Sequence, residues 1–334
     1  ITGWSAEDVV GRKCLDDVLC HVDKDGHRLC GEEYCPLHRA MITGVTTNVP
    51  IIVFARCKDG HRVPTQVTTA PIHNEAGEIV GGVETFRDVS PILIDLERAQ
   101  KIQKQALQYD LPEDPRLRFS TFFMSYDIVG GDFYAIQPLD ADRYAFLLAD
   151  MEGHGVAAAL YAMHLGILWS RHFNLMKSPA AFAAAINADL VKIFGSVVTF
   201  ATAMCGVIDA RTGTLIFTGA GGPTPIIIHE NWTVDEPKST GPPLGVMEDI
   251  PYQEKTVNLK PGDSILLFSD GAVEIQNANQ EWLGVDGLTQ ILKDLNYPQM
   301  PLRMEMLEEV LLKFSNDIRL QDDITIIEAR YSGN

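Results

Sequence analysis

The sequence predicts an α+β chain of two domains joined by a helix, the larger domain built of antiparallel β layers flanked by helices. Three observations predict it. The 334 residues exceed the length at which a single core usually stops growing. A glycine-free stretch, PILIDLERAQKIQKQALQYDL (91–111), separates two β-rich regions. Strands follow one another in neighbouring runs instead of alternating strictly with helices, which favours antiparallel layering.

Taken in order, ITGWSAEDVVG reads as a turn and a short helix, capped by Ser5 with acids behind it. Ile51–Cys57, a turn at Lys58-Asp59-Gly60, and Arg62–Ile72 read as a hairpin. Another strand follows the turn at Glu75–Gly77. In the 91–111 stretch, Pro91 suits a first helical turn, and Ile92, Leu96, Ala99, Ile102 and Ala106 recur at three- and four-residue steps. This narrow apolar stripe can pair with its copy in a homodimer, or it can pack on its own domain. Leu111-Pro112 and Pro115 end the helix. Beyond it, RLRFSTFFMSYD, DRYAFLLAD, VVTFATAMCGVIDA, TLIFTGAG, DSILLFSD and DDITIIEARY read as long strands. Two helices are expected among them, Gly155–His172 and Ser178–Phe194, the second with Ser178 as cap and Pro179 in its first turn. The expected domains are therefore 1–90, the linker 91–111, and 112–331.

Composition narrows the function classes. Hydrophobic content of 46% and charged content of 22% are ordinary for a globular protein. The net charge of -18 repels nucleic acid and anionic membrane, so neither is an expected partner. No apolar run approaches the roughly 18 residues of a membrane span, and no signal peptide is visible, so a cytoplasmic location is expected. The chain begins at Ile1 without a Met, so an upstream segment is expected to have been lost or removed.

The chemistry gathers at the ends of strands. RYAFLLAD runs into Asp150, followed by Met151-Glu152-Gly153-His154-Gly155; SILLFSD runs into Asp270 and Gly271; DDIT opens a strand with Asp322 and Asp323; and VGGDFY puts Asp132 between a glycine pair and a strand. A buried strand holds its terminal side chain rigidly, and glycine lets the backbone approach a ligand. A lone Asp after a strand is more often a turn residue than a ligand. Several gathered carboxylates repel one another and stay ionised only if cations compensate them. All-oxygen donors favour Mg²⁺ or Mn²⁺ over zinc. Two such ions about 3.5–4 Å apart stabilise in-line displacement at phosphorus, so the residues point to a metal-dependent phosphoester hydrolase. His154 between its glycines reads as a turn-positioning residue, since His is unusual in a hard-cation site. A nucleotide-cyclase turn is the competing reading of GGDF. It normally carries a second acid directly after the first, whereas Phe133 follows Asp132, and it leaves the later motifs unexplained.

VGGDFY, LLADMEGHGVAAAL, GAGGPTPIII, LKPGDSILLFSDGAVE and DDITII occur in one order over residues 112–331. In this the chain resembles the metal-dependent serine/threonine phosphatase (PPM) family, in its bacterial SpoIIE-like branch. The resemblance implies a sandwich of two antiparallel sheets flanked by helices, with two Mn²⁺ or Mg²⁺ ions at one edge. By motif, Asp150 would bridge both ions, helped by the Met151 carbonyl. Asp132 would hold one ion, and Asp270 and Asp322 the other, with Asp323 standing behind them or taking part. The implied reaction is hydrolysis of phosphoserine or phosphothreonine by metal-activated water, without a phosphoenzyme. The implied substrate is a phosphoprotein such as an anti-sigma-factor antagonist. The chain departs from the pattern at three places. Ala135 stands where Asp is usual, Gly219-Ala220-Gly221-Gly222 where Asn-Ala-Gly-His is usual, and Val273 where Thr is usual, with Glu274 retained. Ala135 and Gly222 motivate the alternative of a catalytically silent binding or scaffold module on the same fold.

Residues 1–90 resemble a PAS sensor domain, through ITGWSAEDVVG, KDGHRVPTQVTTAPI and GEIVGGVETFRDVS. That family normally has two further strands before ITGW, so a truncated domain is expected. Four of the six cysteines fall here, Cys14, Cys20, Cys30 and Cys35, spaced C-x5-C-x9-C-x4-C. The tight C-x2-C pairs that mark zinc are missing. An iron–sulfur cluster, zinc, a redox-switched pair and buried small residues all remain open, with His21, His27 and His38 nearby.

Overall fold

The computed structural model describes residues 1–16, 18–24, 26–31, 34–46, 51–107, 110–195, 197–239, 241–315 and 321–333. Gln108 and Tyr109 of the expected linker lie outside them. The chain divides into two compact units, Ile1–Arg98 and Ala99–Asn334.

In the first unit, Ser5 accepts from the Asp8 amide and Asp8 answers at the Ser5 backbone, a capping box that starts α1 (Ala6–Val9). Helix α2 (Pro36–Thr43) begins on Pro36 and stops at Gly44, whose φ of 70° is the left-handed conformation of a helix stop. Strands β1 (Ile51–Arg56), β2 (Arg62–His73) and β3 (Ile79–Asp88) form an antiparallel sheet in the order β1-β2-β3. The hairpin and the strand after it stand where the sequence places them. Alternate residues of β2, Val63, Thr65, Val67 and Thr69, are buried, as the period-two pattern of TQVTT requires.

Helix α3 (Ser90–Ala106) contains the boundary between the units. Of the expected stripe, Leu96 and Ala99 are half-buried, whereas Ile92, Ile102 and Ala106 are exposed. The buried residue of the helix is Gln103.

The second unit continues with β4 (Leu117–Met124), β5 (Asp132–Pro138), β6 (Arg143–Met151), α4 (Val156–His172) and α5 (Pro179–Phe194). Then come β7 (Ala201–Asp209), β8 (Thr214–Ala220), β9 (Ile226–Ile228), β10 (Val234–Asp235), β11 (Lys255–Asn258) and β12 (Ser264–Phe268). Helices α6 (Gly284–Asp294) and α7 (Met304–Phe314) and strand β13 (Ile324–Tyr331) complete it. Two five-stranded antiparallel sheets result, in the orders β10-β9-β12-β13-β4 and β11-β8-β7-β6-β5.

Three apolar layers hold them. Phe146, Leu148, Met204 and Phe217 meet Leu117, Ile265, Leu267 and Ile327 between the sheets. Phe133, Leu147 and Cys205 face Leu165, Trp169, Phe182 and Leu190 of α4 and α5. Leu266, Phe268 and Ile326 face Leu288, Ile291, Leu307 and Leu311 of α6 and α7. Each central strand is thus buried on both faces. This explains why its sequence is a continuous apolar run, as in AFLLA, and does not alternate with polar residues. The order of layers is helix, sheet, sheet, helix.

Among the described residues, no helix is long and apolar enough to cross a membrane.

Candidate metal centre

The antiparallel register pairs Asp132 on β5 directly with Asp150 on β6, and Asp150 in turn with Thr202 on β7. Two like charges opposed on one ladder destabilise it unless something neutralises them. Asp132 and Asp150 are 1% and 7% exposed, so water does not perform that role.

The other sheet supplies the remaining acids. Strand β12 ends at Phe268 and delivers Ser269, Asp270 and Gly271; β13 is entered through Asp322 and Asp323. Ser269 ties the two strand ends together. Its amide donates to the Thr325 carbonyl at 3.0 Å, its hydroxyl accepts from the Thr325 amide at 2.9 Å, and it donates to the Asp323 carbonyl at 3.3 Å. The Thr325 hydroxyl then donates to Asp132 Oδ2, a side-chain link between the two sheets at the site.

The carboxylates fall into two groups by what their oxygens do. Asp323 is committed to the backbone, accepting from the Tyr126 amide at 2.6 Å and from the Gly131 amide at 2.5 Å. It anchors the glycine turn that presents Asp132. A Cβ on Gly130 would come to 2.9 Å from Asp323 Oδ2, which is why a glycine stands there. By contrast, Asp132 Oδ1 and Asp270 Oδ1 are buried with no hydrogen-bond partner. Buried carboxylate oxygens without partners are costly unless a ligand takes them. Divalent cations fit that donor set, since every side-chain donor is a carboxylate oxygen.

No three of these acids bring their oxygens within 4.8 Å of one another among the described residues, so no single-ion cage is preformed. Instead Asp150 sits among the rest. Burial raises its pKa first, and the charges of Asp132, Asp270 and Asp322 raise it further. Burial also raises Asp132, helped by the charge of Asp323, and lifts Asp322 to about 6. One carboxylate flanked by three others suits two ions with a shared ligand. The Met151 amide donates to the Gly131 carbonyl at 3.3 Å, which brings this end of β6 to the glycine turn.

A pH dependence follows. The folded-state pKa values of Asp132 and Asp150 lie above those of the unfolded chain, so the folded state holds more protons from about pH 4 through neutrality. Metal-free protein is therefore expected to lose stability as pH rises across that range. Cations must displace those protons, so their stabilisation is expected to grow with pH. Thermal melts in chelator and in Mn²⁺ across the range check both signs. A metal increment that does not change with pH would contradict the assignment.

The departures now have places. Ala135 is fully buried in the apolar layer under α4 and α5, on the opposite face of β5 from Asp132. Gly222 lies in a small cleft with Asp150, Thr202 and Ser269, where an added Cβ would come to 3.4 Å from Thr202 Oγ1. His154 is exposed, stacked edge-on to Tyr126 at 5.1 Å between ring centroids. Its nearest acid is Asp127, at 3.8 Å.

Three contributors escape the sequence reading: Ser269, Thr325 and Gln103. The Gln103 amide donates to the Gly130 carbonyl at 2.7 Å and accepts from the Gly130 amide at 3.2 Å. A signal existed. Position 103 continues the Leu96–Ala99 stripe by four residues, so a polar residue there interrupts an apolar face. Beside it, a cavity of about 300 Å³ reaches Asp132, lined by Leu107, Phe123, Ile128 and Tyr134.

Of the four cysteines in the first unit, Cys14 and Cys30 approach each other, with Sγ atoms 3.8 Å apart, together with His21. Cys20 and Cys35 are not part of that group.

A helix-sheet-sheet-helix sandwich with carboxylates at the ends of its central strands defines a PP2C-type phosphatase fold. The SiaA-PP2C domain of Pseudomonas aeruginosa superposes with a TM-score of 0.62 at 24% identity, covering 72% of this chain and 97% of that one. Residues 140–332 match the family of stage II sporulation protein E (SpoIIE), and residues 1–91 match a PAS domain. The chain belongs to the SpoIIE family, with a PAS domain at its N-terminal side. Two Bacillus subtilis relatives are named phosphoserine phosphatases. RsbP is 26% identical over 183 residues, 54% of this chain and 45% of RsbP. RsbU is 22% identical over 306 residues, 91% of this chain and 88% of RsbU. The chain thus spans about half the length of RsbP.

Proposed function

We propose that the protein is a metal-dependent phosphatase acting on phosphoserine or phosphothreonine in a protein substrate. The observation that carries this is the pair of buried, unpartnered oxygens on Asp132 and Asp270, whose charges both raise the carboxyl of Asp150. Asp132, Asp150, Asp270 and Asp322, with the Met151 carbonyl, would hold two Mn²⁺ or Mg²⁺ ions. The ions, when bound, supply charge stabilisation and an activated water for displacement at phosphorus. The chain's own part is positional. Asp323 and Gln103 hold the glycine turn, and Ser269 and Thr325 hold the two strand ends in register. The names of RsbP and RsbU support the phosphoserine specificity. An anti-sigma-factor antagonist as substrate, a cytoplasmic setting and control by the PAS domain extend the same reading.

The test is phosphate release from a phosphoserine peptide and from an aryl phosphate, in Mn²⁺, in Mg²⁺ and in chelator. Metal-dependent release that Asp270→Asn abolishes would support the phosphatase. A folded protein that binds two ions, cleaves neither substrate, and stays inactive after removal of residues 1–90 would instead support the silent module.

The homodimer reading rests on the stripe of residues 91–111, of which α3 leaves Ile92 and Ile102 exposed. Apolar side chains spaced along one helix are the material of a helix pair. Light scattering is expected to give twice the mass of the 36.9 kDa chain. A monomer mass at micromolar concentration would remove this part of the proposal.

A further inference from the structure

We infer that Cys14, His21 and Cys30 form a zinc site within the first unit, separate from the carboxylate centre. The backbone builds it from two neighbouring segments. After Cys14 the chain turns back at Cys20, whose φ of 37° lies in the left-handed region. Residues 21–23 then pair back with residues 27–29. Leu29 donates to the His21 carbonyl at 2.9 Å, Asp23 donates to the His27 carbonyl at 3.0 Å, and Val22 pairs with Arg28. That small hairpin sets Cys30 beside His21, whose amide donates to Cys30 Sγ at 3.1 Å. The Cys14 sulfur completes the group, and one donor atom from each of the three residues lies within 4.8 Å of the others.

The geometry favours a metal over a disulfide. Zinc–thiolate bonds of about 2.3 Å at a tetrahedral angle place two sulfurs about 3.8 Å apart. The Cys14–Cys30 separation is 3.8 Å. A disulfide would need about 2.05 Å and would leave the imidazole unused. His21 is 2% exposed, and its Nε2 makes no hydrogen bond. The nearest carboxylate is Glu84 on β3, whose Oε1 is 3.6 Å from that nitrogen. A carboxylate beside a metal-binding imidazole either joins the coordination or orients the ring. Two sulfurs and an imidazole select zinc over the hard cations suited to the second unit. An iron–sulfur cluster ordinarily takes four thiolates, and only two converge here. Binding releases the two thiol protons to solvent.

The test uses the full chain, reduced under anaerobic conditions and titrated with Co²⁺. A thiolate-to-cobalt charge-transfer band is expected at one equivalent, displaced by Zn²⁺. The carboxylate centre cannot produce that band, because it offers no sulfur. Cys14→Ser and Cys30→Ser should lose it, and Cys35→Ser should keep it. Glu84→Gln should weaken cobalt binding by about 10- to 100-fold, and His21→Ala, which removes a ligand, should weaken it more. Three results would overturn the assignment: no band in the reduced wild-type protein, a band that survives Cys14→Ser, or iron with acid-labile sulfide in place of zinc.

Discussion

Asp150→Asn is expected to lower metal-dependent phosphate release by on the order of a thousandfold, as expected when preorganised charge at a reacting centre is removed. Asp150 faces Asp132 across the β5–β6 ladder and feels the charges of Asp270 and Asp322, so it is the group a pair of ions would share. An amide in its place keeps the shape but donates through nitrogen and carries no charge. The stabilisation conferred by Mn²⁺ is therefore expected to fall with the activity. In chelator the sign reverses. The wild-type carboxyl must take a proton to fold, because its folded-state pKa is raised, and that requirement grows with pH above about 4. The Asn variant is free of it and should melt higher than wild type. A variant that was merely misfolded would melt lower in both conditions, so the pair of melts separates the two explanations. Unchanged turnover would sink the assignment of Asp150.

Gly271→Ala is expected to disable the same centre without touching a ligand. A Cβ at this position would lie 2.1 Å from the Asp323 carbonyl oxygen and 3.3 Å from the Asp322 Cβ. The ends of β12 and β13 approach too closely for any side chain there, and the Asp323 carbonyl, with its carbon at 3.0 Å, is backbone and cannot rotate away. The strands must part, which pulls Asp270 away from Asp322 and breaks the Ser269–Thr325 exchange. Overpacking of this kind typically costs about 1–3 kcal/mol, and the displaced ligands should cost metal affinity as well. The expected result is a lowered melting temperature together with weaker Mn²⁺ binding in calorimetry. A variant with native melting and native metal affinity would show that the two strand ends tolerate separation.

The larger sheet elements and the four ligand candidates could be read from the chain because each rests on local chemistry. Apolar runs of β-branched and aromatic residues make strands. Asp and Gly at their ends make tight turns. Helices α4 and α5 announce themselves by their caps and breaks, Ser178-Pro179 above all. Ala135 is buried against the helices, so its departure from the family pattern changes a packing position on the face away from Asp132.

Other features depend on partners distant in sequence. Gln103 escaped the sequence reading because its partner Gly130 is 27 residues away. Ser269 and Thr325 are ordinary strand-end residues until pairing brings them together across 56 residues. The stripe on α3 was legible, but helical periodicity gives only the face, so packing left Ile92 and Ile102 exposed and buried Gln103. The roles of Asp322 and Asp323 also needed the fold, since adjacent acids look alike in sequence and differ only in what their oxygens meet. Spacing offered four cysteines, while the turns brought together two of them with a histidine. What the sequence by itself determined was which segments become strands and helices and which acids stand at their ends, because those follow from short-range periodicity and turn chemistry. Only the tertiary structure decided which of their oxygens are left without a hydrogen bond, because that depends on contacts between residues separated by tens to hundreds of positions.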